Sequence, residues 1–176
     1  MGVLLADGLG VPQNYQEAVR RFRRAADRGS AEGQFSLGLF YQSGFGVAQS
    51  YVEAARWYRK AAEQGVAAAQ CNLGIMFESG DGVAHNDVEA VRWYKAAATQ
   101  GMADAQRNLG TMIERGLGVA QSYAEAARWY KMAAEKGNPK AQMNLGKLFE
   151  DGRGVVQSDK EAAWWYEKAK CRGLSF

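Results

Sequence analysis

Residues 69–83 read AQCNLGIMFESGDGV, and residues 90–101 read AVRWYKAAATQG. Close copies of both stretches recur at intervals of 36 residues, so the glycines fall into columns that begin at Gly2, Gly8, Gly10 and Gly29. Of the 21 glycines, only Gly33 lies outside these columns. A fixed period of about 20 to 50 residues is typical of repeat proteins. Since 176 residues hold about 4.9 periods, the sequence predicts about five structural repeats.

The composition excludes several classes of protein. The chain is 47% hydrophobic and 23% charged, with a net charge of +3, so it can form a core and is not a disordered polyelectrolyte. Two cysteines 100 residues apart, Cys71 and Cys171, form no disulfide framework. No apolar run is long enough to span a membrane, and Met1 to Gly10 does not have the pattern of a signal peptide. The sequence leaves open whether the protein is cytoplasmic or exported.

The second stretch has the pattern of an amphipathic helix, which we call helix B. In the copy of this helix one repeat earlier, Ser50 and Glu53 predict a capping box, in which each side chain bonds a free backbone N–H at the helix start. An apolar stripe follows at helical spacing. Gly65 stands at the position just after the helix, where glycine readily adopts the left-handed backbone conformation that ends a helix. The capping pair recurs as Asn14/Glu17, Asn86/Glu89, Ser122/Glu125 and Ser158/Glu161.

The first stretch predicts a helix over about Ala67 to Ser79, which we call helix A. Its copy in the last repeat begins at Asn138-Pro139, a helix cap followed by a proline suited to the first helical position. Gly74 lies inside helix A, where glycine costs about 1 kcal/mol relative to alanine. Its recurrence predicts a close contact with the large aromatic residues of helix B.

Two helices cannot bury their own apolar stripes, but stacked repeats can. The sequence therefore predicts an all-α fold, an α-solenoid of helix-turn-helix repeats forming a single domain. The predicted boundaries are 1–29 (truncated), 30–65, 66–101, 102–137 and 138–176.

The motif Ala69-Gln70-Cys71-Asn72-Leu73-Gly74, followed by Gly80-Asp81-Gly82-Val83 and Ala90-Val91-Arg92-Trp93-Tyr94, resembles the Sel-one-like repeat, a subclass of the tetratricopeptide-like repeats. The resemblance covers nearly the whole chain. It implies a right-handed superhelix and a non-enzymatic scaffold or adaptor, in a family with many bacterial members. Two residues of the last repeat depart from the pattern: Trp164 replaces an arginine and Lys170 an alanine.

The resemblance also implies a binding face, because tetratricopeptide-like solenoids present helix A on the concave side. The predicted partner-binding residues vary between repeats and become charged towards the C-terminus: Phe35, Leu39, Gln42, Cys71, Ile75, Glu78, Arg107, Thr111, Glu114, Met143 and Lys147. In the truncated first repeat the face would comprise Val3, Ala6 and Asp7. An extended peptide or a partner helix could bind there. Alternatively, the apolar members only pack between neighbouring repeats.

No catalytic or metal-binding constellation can be assembled from the sequence. The only histidine, His85, replaces the glutamine found in the other loops, and one histidine with two cysteines 100 residues apart does not supply a zinc site. The G-x-G-V loops follow helices and recur in every repeat, so they are interpreted as turns rather than phosphate-binding loops. We therefore expect no enzyme activity, metal or cofactor.

Two further possibilities concern surfaces. Arg20, Arg21, Arg23, Arg24 and Arg28 make the first helix B basic, which is the basis of an alternative function as a nucleic-acid or anionic-surface binder. Because neither end of the chain has an obvious polar capping helix, end-to-end self-association is a second hypothesis. In another interpretation, Leu174 and Phe176 fold back over the last repeat.

Overall fold

The computed structural model describes residues 14–170, and all regular structure in that range is α-helical. The chain forms two compact units, Met1–Asn86 and Asp87–Phe176. The predicted binding residues Val3, Ala6 and Asp7, and the fold-back of Leu174 and Phe176, lie outside the described residues.

The first unit contains α1 (Tyr15–Asp27), α2 (Ala31–Ser43), α3 (Tyr51–Glu63) and α4 (Ala67–Ser79). Helices α1 and α3 are B helices, and α2 and α4 are A helices. Each helix packs against the next one along the chain. The α1–α3 core includes Phe22, Leu37, Phe40 and Trp57, each no more than 9% exposed. Burying side chains of this kind contributes about 1.5–3 kcal/mol each.

The second unit contains α5 (Asp87–Thr99), α6 (Ala103–Arg115), α7 (Tyr123–Glu135), α8 (Pro139–Asp151) and α9 (Asp159–Lys170). Helices α5, α7 and α9 are B helices, and α6 and α8 are A helices. Here too each helix packs against its successor. The core includes Tyr94, Leu109, Tyr130 and Leu145, none more than 1% exposed.

The predicted caps form only in part. Ser50 Oγ accepts a hydrogen bond from the backbone N–H of Glu53 at 3.3 Å, as the capping-box pattern predicts. The backbone N–H of Ser50, however, donates to the carbonyl of Tyr41 in the preceding helix A at 2.9 Å. The carboxylate of Glu53 lies instead 3.7 Å from Arg56. The reciprocal half of the box is therefore wrong here, because the tertiary partner already satisfies that N–H.

The recurrent glycine inside helix A makes the predicted close contact. A Cβ atom added to Gly38 would lie 2.6 Å from the ring of Tyr58, closer than real Cβ contacts come. Gly110 and Gly146 meet Tyr130 and Tyr166 in the same way, at 2.7 and 2.6 Å. Any larger residue would push the two helices of a repeat apart.

The second loop glycine has two reasons to be glycine. Gly82 has a φ of 70°, in the left-handed region that favours glycine. An added Cβ atom would also lie 2.3 Å from the backbone carbon of Tyr51 at the start of the preceding helix B. This loop therefore fixes how closely one repeat follows the previous one within the first unit.

Buried glutamines connect successive repeats, a role that the repeat pattern does not predict. Gln70 is 6% exposed, and its Nε2 donates to the carbonyl of Ala62 at 3.0 Å. Gln106 bonds the carbonyl of Ala98 at 3.1 Å. These carbonyls belong to the last turn of a helix B, where each also accepts a hydrogen bond from the backbone N–H of the glycine just beyond the helix, so the glutamine adds a second donor. The other two bonds of this type join Gln34 to Ala26 and Gln142 to Ala134.

Candidate partner-binding face

The predicted partner-binding residues of the first unit differ widely in exposure. Leu39 and Ile75 are 38% and 44% exposed, an unusual state for large apolar side chains in the middle of a helix. Phe35 is half-buried, with its ring centroid 5.8 Å from that of Tyr58. Cys71, by contrast, is only 2% exposed, so its side chain belongs to the packed interior.

In the second unit the predicted residues are more polar. Arg107, Thr111, Glu114 and Met143 are half-buried, and Lys147 is exposed. Thr111 and Glu114 meet at Tyr130, whereas Met143 and Lys147 border a cavity beside the last helix B. The structure thus brings Thr111 together with Glu114 and Met143 together with Lys147, rather than all five residues in one cluster.

Tyrosines of helix B fix three polar residues on this face. The hydroxyl of Tyr58 donates to Gln42 Oε1 at 2.6 Å. The hydroxyl of Tyr130 donates to Glu114 Oε2 at 2.6 Å and lies 3.1 Å from the hydroxyl of Thr111. Gln42, Thr111 and Glu114 therefore have an internal structural role in addition to any contact with a partner. The recurring offset of 16 residues between the two partners is the sequence signal that could have revealed it.

The same contacts perturb the tyrosines. Burial raises the pKa of Tyr58 above its ordinary value. Burial, and then the hydrogen bond to Glu114, raises the pKa of Tyr130 as well. At the last repeat, burial and the nearby carboxylate of Glu150 raise the pKa of Tyr166 to about 12. All three hydroxyls are therefore neutral donors at physiological pH.

His85 holds a loop in place of glutamine. Its Nδ1 lies 2.8 Å from the carbonyl oxygen of Glu78 and donates to it in the Nδ1–H tautomer. Gln49 makes the equivalent bond to the carbonyl of Gln42, at 2.8 Å. The interpretation of His85 as a loop substitution is supported by this shared geometry.

The basic helix α1 exposes four arginines, and a fifth, Arg28, follows at its C-cap, but this charge is partly compensated. Glu17 lies 3.0 Å from Arg21 and 3.9 Å from Arg20. Arg23 bonds the hydroxyl of Tyr41 and stacks over its ring. Arg24 and Arg28 point into solvent. Exposed ion pairs of this kind are worth about 0–1 kcal/mol, so they leave the arginines accessible.

The described part of the chain has neither a metal-binding cluster nor a helix suited to span a membrane. Between residues 14 and 170, no group of three or more histidine, cysteine, aspartate or glutamate side chains is arranged to hold a metal ion. In the same part of the chain, no helix has the length and apolar character needed to cross a membrane.

Comparison with known proteins gives a consistent picture. The Sel1 repeat model matches residues 1–30, 31–66, 67–102, 103–138 and 139–174. A Sel1 repeat protein from Oxalobacter formigenes is 37% identical, with a TM-score of 0.93 over 99% of this chain and 72% of that one. The protective antigen c5321 of uropathogenic Escherichia coli, which has an SLR fold, is 38% identical, with a TM-score of 0.94 over 97% of this chain. The match spans only 37% of that antigen's length. No curated protein matches the sequence.

Proposed function

The chain belongs to the Sel1-repeat family, an all-α solenoid fold, and on that premise we propose that it is a non-enzymatic scaffold or adaptor that binds a peptide or partner protein. In each unit the binding surface is the face that its own A helices present. Repeat solenoids offer extended surfaces of this kind, and chains of this family are generally protein-interaction scaffolds.

One observation carries the proposal. Leu39 and Ile75 occupy corresponding positions in α2 and α4, where both remain more than one-third exposed while neighbouring apolar residues are buried. Exposed apolar groups that recur on one face of successive repeats favour a protein partner, because a partner can remove that surface from water. The alternative interpretation, packing between repeats, would require these side chains to be buried, as Cys71 is.

The test compares two variants of the full chain. L39E/I75E places charges on the A-helix face, whereas V52E places one on helix B of the same unit, at a valine that is 64% exposed. Proteins captured from the native source by each variant and by the wild type are quantified by mass spectrometry. We expect L39E/I75E to lose a partner that the wild type and V52E retain, with little change in helicity.

Two results would contradict the proposal. Equal capture by all three proteins would show that the face is not used. A large loss of unfolding free energy in L39E/I75E would instead assign Leu39 and Ile75 to packing, since substitutions of exposed residues usually change stability by less than about 0.5 kcal/mol.

A second candidate function rests on the exposed arginines Arg24 and Arg28 at the end of α1. Binding to nucleic acid or an anionic surface through Arg20 to Arg28 would weaken steeply with salt, whereas binding at Leu39 and Ile75 would not. Titration of labelled DNA and RNA at low and moderate salt separates the two functions. Undetectable binding at moderate salt would eliminate this candidate.

A further inference from the structure

Among the described helices of the second unit, α9 carries a surface whose counterparts on α5 and α7 each pack against the next helix A. Tyr130 is fully buried, and α8 packs over α7 with Asn144 within hydrogen-bonding reach of the Tyr130 hydroxyl. Tyr166, the corresponding tyrosine of α9, is only half-buried. It borders a cavity of about 460 Å³ with four other residues, and we call these five the end surface: Met143, Asn144, Lys147, Tyr166 and Lys170.

The interior of the solenoid shows what fits such a surface. After α7 the equivalent space is filled by the next helix A, whose Gln142 bonds the carbonyl of Ala134 at 3.0 Å. In the first unit α4 does the same over α3, through Gln70 and Ala62, with Asn72 beside Tyr58. The end surface therefore has the geometry that receives an α-helix with a stripe of small and apolar residues.

The end surface differs from these interior surfaces in its charge. At the position of Lys147 the other repeats have Leu39, Ile75 and Thr111. At the position of Lys170 they have alanines such as Ala62 and Ala134, each 2% exposed beneath the next helix. Two ammonium groups thus replace two uncharged side chains. A standard helix A would meet a long lysine where the interior offers only a methyl group.

Two carboxylates near the lysines are already engaged. Glu150 accepts the hydrogen bond of the Tyr166 hydroxyl at 2.8 Å, and Glu167 lies 2.9 Å from the ammonium of Lys170. Glu167 is 69% exposed on its side chain, so its pairing with Lys170 is a weak surface contact that a second carboxylate can share. Lys147 is exposed at the cavity edge.

We propose that the end surface binds an α-helix of a partner protein whose apolar stripe is flanked by aspartate or glutamate. The apolar stripe would fill the cavity against Met143 and Tyr166, and the carboxylates would pair with Lys147 and Lys170. This inference rests on the proposed function, because Met143 and Lys147 belong to the proposed binding face.

The test uses two labelled peptides derived from α6, residues Ala103–Arg115, which share one apolar stripe. The acidic peptide has the changes R107E and R115E, and the basic peptide has D104K and E114K. Binding to the full chain is measured by fluorescence anisotropy at low salt. The variant K147E/K170E reverses the charge of the end surface, and K95E/K160E makes the same change at exposed lysines of the second unit that do not border the cavity.

We expect the acidic peptide to bind the wild type and K95E/K160E, and to bind K147E/K170E about tenfold more weakly or worse. The basic peptide should show the opposite preference. Equal binding of the acidic peptide to K147E/K170E and the wild type, or no binding of either peptide, would overturn the proposal.

Two other occupants give different results, and each would also overturn it. If residues 171–176 cover the surface, a chain ending at Lys170 will bind the acidic peptide much more tightly than the full chain. If a second copy does, sedimentation will show a dimer that K147E/K170E abolishes. The outcome is independent of L39E/I75E, which tests the proposed function in the first unit, so the two ideas can fail separately.

Discussion

Replacing Gly110 with alanine sets two opposing effects against each other. Alanine in a helix interior is about 1 kcal/mol more favourable than glycine, so propensity alone would stabilise the protein. The new Cβ atom, however, would lie 2.7 Å from Cε1 and 2.8 Å from Cδ1 of Tyr130. Tyr130 cannot retreat, because its ring is fully buried and its hydroxyl is held by Glu114 at 2.6 Å.

The clash should be the larger effect. Adding a methyl group to a packed core typically costs about 1–3 kcal/mol, and contacts this short belong at or above the upper end of that range. After subtraction of the propensity gain, we expect G110A to lose about 2 kcal/mol or more of unfolding free energy. With a urea dependence of about 1–3 kcal/mol per molar, the unfolding midpoint should fall by roughly 1 M.

Urea denaturation followed by circular dichroism measures this shift, and two controls isolate its cause. A163G, at an exposed helical position, reports the propensity term in this protein. In a Y130A background the ring is absent, so G110A should become stabilising by about 1 kcal/mol. A higher midpoint for G110A in the wild-type background would refute the argument that the ring requires a glycine.

Three further predictions concern the other recurrent contacts. G82A should lose more than about 3 kcal/mol of unfolding free energy, because its Cβ atom would lie 2.3 Å from a backbone atom. G80A has its nearest neighbour at 3.5 Å, so it should lose only about 1–2 kcal/mol, from the left-handed backbone conformation alone. Thermal melts of both variants check this order. Q106L should lose about 0.5–1.5 kcal/mol of unfolding free energy, because it removes one of the two donors to the carbonyl of Ala98 and leaves only the backbone N–H of Gly101. Urea denaturation measures the loss, and an unchanged midpoint would contradict the role assigned to the glutamine. The pKa of Tyr130 is raised in the folded protein, so the unfolded state loses this proton first and the unfolding free energy should fall as pH rises above about 10. Y130F should show a smaller fall in unfolding free energy between pH 9 and 11.5 than the wild type. Parallel curves of unfolding free energy against pH would show that Tyr130 does not contribute.

The regular features of the fold could be predicted from the sequence because they depend on local chemistry. The predicted helix over Ala67 to Ser79 matches α4, since the glycine that follows has a left-handed conformation open to few other residues. The contact of the helix A glycine with a helix B aromatic was also predicted correctly, because a costly residue that recurs needs a steric reason.

The features that could not be predicted depend on partners distant in sequence. The capping-box pattern at Ser50 and Glu53 is half wrong because a carbonyl of the previous helix takes the N–H that glutamate was expected to bond. Likewise, the repeat pattern places Cys71 on the same face as Leu39 and Ile75 but does not predict how exposed each side chain is. The exposure of a side chain depends on the neighbouring helices that pack against it, and Cys71 is buried. The binding role of the remaining face residues stays a prediction.

The contacts between successive repeats also bear on how the chain folds. Gln64 bonds the carbonyl of Gly29, and Lys136 bonds that of Gly101, each across 35 residues. Most other contacts are closer in sequence, because each described helix packs against the next one within its unit. Such local contacts lower the contact order, and a low contact order is associated with fast folding, in microseconds to milliseconds. A repeat can therefore complete its core as soon as the next helix A has left the ribosome, because synthesis at about 5–20 residues per second is far slower.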